Sequence, residues 1–205
     1  MEIKGIITAM VTPFDENQKI NETAARQLVD KLISQGVHGL FILGTNGEFH
    51  VLSDDEKVEF AKIVINQAAH RVPVYVGAGA CGTQETIRLA QRMEAVGADA
   101  LSVISPYFIA PTQQELADHY RKVAEAVNIP IIMYNIPKNT GINIEPETVK
   151  SLIGVKNIAG IKDSSGNMEN MQGYIDAGKG SDFVVLVGSD SKILPALKIG
   201  AAGAI

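Results

Sequence analysis

A lysine, two tyrosines and a glycine-bounded Thr-Asn pair are the residues whose types and settings could do carbonyl chemistry in this chain. Lys162 lies in IAGIKDSSG (158–166), a short apolar run that reads as a strand ending in small polar residues. Drawn into an apolar setting, an ammonium group loses hydration and its pKa falls. The neutral amine that results can attack a ketone and form an imine. The plainer alternative is a strand-end lysine that reaches solvent. Tyr134 in YNIP (134–137) and Tyr107 in SPYF (105–108) carry phenols that could relay protons to an amine, although Tyr134 could equally be a core aromatic with a satisfied hydroxyl. In GTNGE (44–48), Gly44 and Gly47 permit a tight turn, so the amides around Thr45 and Asn46 could face a carboxylate; the same residues could form only a turn.

These residues need a scaffold, and the chain alternates strand-like with helix-like segments throughout. Strands are expected over 5–13, 39–44, 72–79, 100–106, 130–137, 158–163, 183–190 and 202–205. Between them lie stretches of helical period, with Ala25, Leu28, Leu32 and Ile33 on one face and Leu89, Met93 and Val96 on another. Ser53 with Glu56 and Thr112 with Glu115 have capping-box spacing, and Pro146 suits a first helical turn. Helices hand over to strands through glycine steps, as in SQGVHGLFIL and EAVGADALSV, a loose βα repeat with no linker to mark a second domain. Seven βα units and an eighth strand point to a (βα)₈ barrel spanning 1–205, with a doubly wound open sheet as the rival. Such barrels run to about 250 residues. The chain is therefore expected to lack a closing helix and any C-terminal helical tail, and to be unstable as a barrel without them.

Composition narrows the classes. Of 205 residues, 46% are hydrophobic and 20% charged, ordinary for a globular protein. No apolar run approaches the roughly 20 residues that span a bilayer, and a net charge of −5 argues against a nucleic-acid partner. The single cysteine, Cys81, forms no internal disulfide and fits a cytoplasmic setting.

Other signals carry less. GAGACG (77–82) has the G-x-G-x-x-G spacing of a dinucleotide loop, but it follows the third strand, and Asp99 precedes the fourth strand instead of ending it. No cofactor is expected. His38, His50, His70 and His119 lack metal-ligand spacing, so no metal is expected either, and Asp54-Asp55-Glu56 reads as the first turn of a helix.

Taken at the carboxyl ends of the strands, where barrels collect their chemistry, GTNGE, SPYF, YNIP, Lys162 and GSD (188–190) share one rim. From KGIITAMVTPF (4–14) onward, and above all in GLFILGTNGEF (39–49), YNIP and IAGIKDSSG, the chain resembles the dihydrodipicolinate synthase / N-acetylneuraminate lyase family of pyruvate-handling class I aldolases. The resemblance implies a TIM barrel in which Lys162 forms a Schiff base with a 2-oxoacid and Tyr134 relays protons. It makes Thr45 and Tyr107 the hydroxyls completing that relay, the tyrosine reaching in from a neighbouring subunit of a homo-oligomer, a dimer of dimers. Thr45 and Asn46 would bind the 2-oxoacid carboxylate, and the backbone of Ile205 would line the pocket. The synthases usually carry an arginine where YNIPKNTG has Asn139, and neither Asn139 nor Lys138 replaces its bidentate grip on a dicarboxylate. The expectation is therefore a 2-keto-3-deoxy sugar acid aldolase, with Gly188, Ser189 and Asp190 available to the hydroxyls. Dihydrodipicolinate synthesis from pyruvate and aspartate semialdehyde is the alternative, and a non-catalytic ligand-sensing barrel a more remote one.

Overall fold

The short apolar runs form strands and the amphipathic stretches between them form helices; the computed structural model describes residues 2–205. Eight strands, β1 (Gly5–Ala9), β2 (Gly39–Ile42), β3 (Val74–Gly77), β4 (Ala100–Ile104), β5 (Ile131–Asn135), β6 (Ile158–Asp163), β7 (Val184–Val187) and β8 (Gly203–Ala204), pair in parallel, each with the next. β8 pairs with β1 and closes the barrel, which excludes the open sheet. The helices between them are α1 (Glu22–Ser34), α2 (Asp54–Ala68), α3 (Thr83–Ala95), α4 (Gln113–Glu125), α5 (Pro137–Thr140), α6 (Pro146–Leu152), α7 (Met168–Gly178) and α8 (Ile193–Ile199).

Alternation of side chains along each strand separates two cores. One face of the strands sends Ile7, Phe41, Tyr75, Ile132 and Leu186 into the barrel interior. The other meets the helices through residues such as Leu40, Ile42, Val103, Met133 and Val185. Ser53 and Thr112 cap α2 and α4 in the expected reciprocal boxes, and Pro146 opens α6.

Two boundaries fall short of expectation. The first strand stops at Ala9, and beyond Pro13 the chain forms an antiparallel bridge between Phe14 and Ile20. YNIP leaves the sheet after Asn135, with Pro137 opening the single turn α5. On α1, Ala25 and Val29 are the buried pair, whereas Leu28, Leu32 and Ile33 are only half-buried. The glycines of GAGACG answer to packing. A Cβ on Gly77 would lie 2.0 Å from the Leu43 carbonyl oxygen, and one on Gly79 would lie 2.2 Å from Ile104. Asp99 accepts the Val74 N–H at 2.8 Å, fastening β3 to the start of β4. Among the described residues, no helix is long and apolar enough to cross a membrane.

Candidate active site

Lys162 projects from β6 into the barrel and is only 4% exposed. Its Nζ lies 4.2 Å from the Tyr134 ring centroid and 4.4 Å from that of Phe41. Aromatic faces favour the ammonium form, but loss of water outweighs them: burial brings the Lys162 amine down from 10.5 to about 7. Space for the lysine comes from a missing side chain. A Cβ on Gly188 would lie 3.0 Å from Lys162 Cε and 2.0 Å from Ser164 Oγ.

The amine opens into a cavity of about 450 Å³ at the carboxyl ends of the strands. Thr45, Asn46, Tyr134, Ser164, Gly188, Asp190 and Ile205 line it, against apolar walls from Ile7, Phe41 and Ile136. The Tyr134 and Thr45 hydroxyls are hydrogen-bonded at 3.2 Å. Burial raises the phenol of Tyr134, while bonding to Thr45 and Ser164 works against it. Thr45–Gly47 form one 3₁₀ turn in which the Gly47 and Glu48 amides donate back to the Gly44 and Thr45 carbonyls. Such a turn leaves its first amides, those of Thr45 and Asn46, for an outside acceptor. The glycines of this motif serve close approach rather than an unusual backbone. Gly44 has φ −84°, and a Cβ there would meet the Phe41 ring at 2.4 Å; Glu48 holds the left-handed conformation instead, at φ 55°.

Tyr107, Asn139 and Ser189 do not line the lysine cavity of their own chain. Tyr107 and Asn139 line a second cavity, of about 490 Å³, with Phe49, His50 and Ile104; the two cavities share Thr45. The Tyr107 ring packs edge-on against Phe49 at 6.0 Å, and its phenol is raised to about 12, first by burial and then by the Cys81 thiol beside it. The three-hydroxyl relay is thus joined within one chain only between Thr45 and Tyr134. Asn139 sits on the exposed side of α5, and Ser189 leads into the 3₁₀ turn Asp190–Lys192 without lining the lysine cavity. Ser164 and Phe41 are among the lining residues that sequence reasoning missed. Ser164 lies two residues beyond Lys162 and so on the same side, a signal that strand period could have given. Phe41 could not be told from its neighbours, because β2 is apolar on both faces.

A buried, neutral-leaning amine at the rim of a closed (βα)₈ barrel, with a phenol on the adjoining strand, is the equipment of the class I aldolases, carbon–carbon lyases, and this chain is one of them. Comparison with known proteins narrows the class: the chain belongs to the dihydrodipicolinate synthetase family, whose sequence model matches residues 2–205. It is 39% identical to 4-hydroxy-tetrahydrodipicolinate synthase 1 of Halalkalibacterium halodurans, over 100% of this chain and 69% of that protein. It is 44% identical to the 4-hydroxy-tetrahydrodipicolinate synthase of Syntrophus aciditrophicus, over 98% of this chain and 69% of the relative. A prophage protein of the dihydrodipicolinic acid synthase family from E. coli K12, solved in complex with pyruvate, superposes with a TM-score of 0.95 at 36% identity, covering 98% of this chain and 69% of that one.

Proposed function

We propose that the chain acts as a 4-hydroxy-tetrahydrodipicolinate synthase, condensing pyruvate with aspartate semialdehyde through an imine on Lys162. The observation that carries the imine is the buried amine of Lys162, brought to about 7. The name of the synthase carries over from relatives such as those of H. halodurans and S. aciditrophicus. The neutral amine attacks C2 of pyruvate, and the resulting carbinolamine loses its oxygen as water to give the imine. The Thr45 and Asn46 amides receive the carboxylate. Tyr134, bonded to Thr45, passes the protons that leave the nitrogen and reach the departing oxygen. Loss of a C3 proton then gives the enamine that attacks the aldehyde. In this reading Tyr107 serves the site of a neighbouring copy, and the exposed Phe108 and Ile109 beside it suit a covered surface.

A second reading, cleavage of 2-keto-3-deoxy sugar acids, is favoured by Asn139 in place of the synthase arginine and by the hydroxyl of Ser164 in the pocket. Borohydride reduction in the presence of pyruvate tests the imine: one reduced pyruvate should appear on the peptide carrying Lys162. Labelling elsewhere, or none in folded protein, would overturn it. Comparing kcat/KM for aspartate semialdehyde with that for sugar aldehydes, each with pyruvate, then chooses between the readings. A sugar preference of tenfold or more would displace the synthase.

A further inference from the structure

The catalytic pair has a polar counterpart one residue along the same strands. β5 and β6 pair Tyr134 with Lys162 and then Asn135 with Asp163. Successive side chains point to opposite faces, so the first pair faces the cavity and the second the layer between barrel and helices. That layer is otherwise apolar on these strands, with Ile131, Met133 and Ile161 as neighbours. Yet Asn135 and Asp163 are both fully buried. Burial raises the Asp163 carboxyl, against hydrogen bonds from Asn135 and Ser165.

Every polar atom of this group has partners. Asn135 Nδ2 lies 2.9 Å from Asp163 Oδ1 and 2.8 Å from Asn143 Oδ1, and Asn135 Oδ1 accepts the Ile144 N–H at 3.0 Å. Asp163 also accepts from the amide and the hydroxyl of Ser165, at 3.1 and 2.8 Å. The Tyr174 hydroxyl on α7 accepts from Asn170 and donates to the Ile144 carbonyl. The ends of β5 and β6 are thereby tied to the segment entering α6 and to α7. For stability alone, well-packed apolar residues serve as well as or better than a buried carboxylate. A satisfied buried network instead fixes geometry, and this one sits on the last paired residues of both strands.

We propose that the outward Asn135–Asp163 clasp is a positioning device for the inward Tyr134–Lys162 pair, holding the strand ends so that the phenol stays between Thr45 and the reacting amine. The inference rests on the imine reading above. The clasp touches no substrate and acts through Tyr134.

The test measures single-turnover pyruvate trapping by the full chain, across pyruvate concentrations, with thermal melting as a check on folding. Asp163→Asn should slow the maximal rate by about 10- to 100-fold, the same span as losing a group that orients a metal-ligating side chain, while the half-saturating pyruvate concentration changes little. In a Tyr134→Phe background the slowing should shrink to within about threefold, because no phenol is left to position. The exchange Asn135→Asp with Asp163→Asn keeps one amide and one carboxylate, and should recover most of the rate. Equal rates for the parent and a folded Asp163→Asn would overturn the clasp, as would the same slowing with and without the Tyr134 hydroxyl. If Asp163→Asn does not fold, Ser165→Ala, which removes one donor to the carboxylate, takes its place: slowing that depends on Tyr134 supports the clasp, and an unchanged rate overturns it. A parent that traps no pyruvate would sink the imine reading and the clasp together, whereas a trapping parent with indifferent variants sinks the clasp alone.

Discussion

Tyr134 and Lys162 are register partners on adjacent parallel strands, and the lysine nitrogen stands over the tyrosine ring, 4.2 Å from its centroid, rather than beside its hydroxyl. The hydroxyl is bonded to Thr45 instead. A phenol so placed is poorly arranged to take a proton from the resting amine. It is well arranged to serve an oxygen on a substrate carbon attached to that amine, so removing the hydroxyl separates chemistry from packing. Tyr134→Phe should lower turnover by about 10²- to 10⁴-fold, the span for a positioned acid–base group, with the melting temperature nearly unchanged. Activity within a few-fold of the parent would make Tyr134 a packing residue.

The pH dependence of imine formation follows from Lys162. Its amine is brought down to about 7, and only the unprotonated form attacks. The single-turnover trapping rate should rise with pH through about 7 and level off near neutrality to mild alkalinity. An ordinary lysine would keep rising to about 10.4. A profile still climbing at pH 9 would show that the amine is not desolvated in solution.

Gly188→Ala tests the space on which that desolvation depends. The added methyl would fall 2.0 Å from Ser164 Oγ and 3.0 Å from Lys162 Cε, so one of the two side chains must move. The expected result is a loss of about 1–3 kcal/mol in stability, as for overpacking elsewhere, with trapping slowed at least tenfold. Unchanged trapping in a folded variant would mean that the lysine reaches its ketone from another rotamer.

His119 gives a prediction about acid. It is 3% exposed, its Nδ1 lies 3.0 Å from the Thr83 hydroxyl, and burial lowers it from 6.5 to about 4. The unfolded chain therefore takes up this proton first. Stability falls as pH drops from about 6.5 toward 4, by a total of about 3 kcal/mol from this group. Asp163, raised by burial, works in the opposite direction. Urea unfolding of the parent and of His119→Gln at pH 7 and pH 4.5 isolates the histidine: the variant should lose distinctly less stability on acidification. Parallel losses would refute the assignment.

The architecture was legible because short apolar runs and helical stripes alternate cleanly, and Lys162, Tyr134 and Thr45 stood out as candidates because each lies where a strand ends. Tyr107 and Asn139 are expected at the site through the family resemblance, Tyr107 as a residue that reaches a neighbouring copy. Their side chains, however, are directed by the loops after β4 and β5, which have no period to read, and they line the adjoining cavity. The Asn135–Asp163 clasp was invisible for another reason. Its meaning lies in the register between two strands, which neither segment encodes alone.

The seam of the barrel couples the site to the whole length of the chain. Gly5 and Gly203 meet so closely that a Cβ on Gly203 would lie 2.1 Å from the Gly5 carbonyl oxygen. Ile6, Ile7, Thr8 and Ala9 on one side of that seam, and Ala204 and Ile205 on the other, belong to the wall of the lysine cavity. Joining strands so distant in sequence carries the largest loop-closure entropy in the fold and is favoured late in folding. The pocket therefore has no local precursor. Only the closed barrel holds Lys162 against Phe41 and Tyr134 in a pocket whose wall is shared by the two strands of the seam.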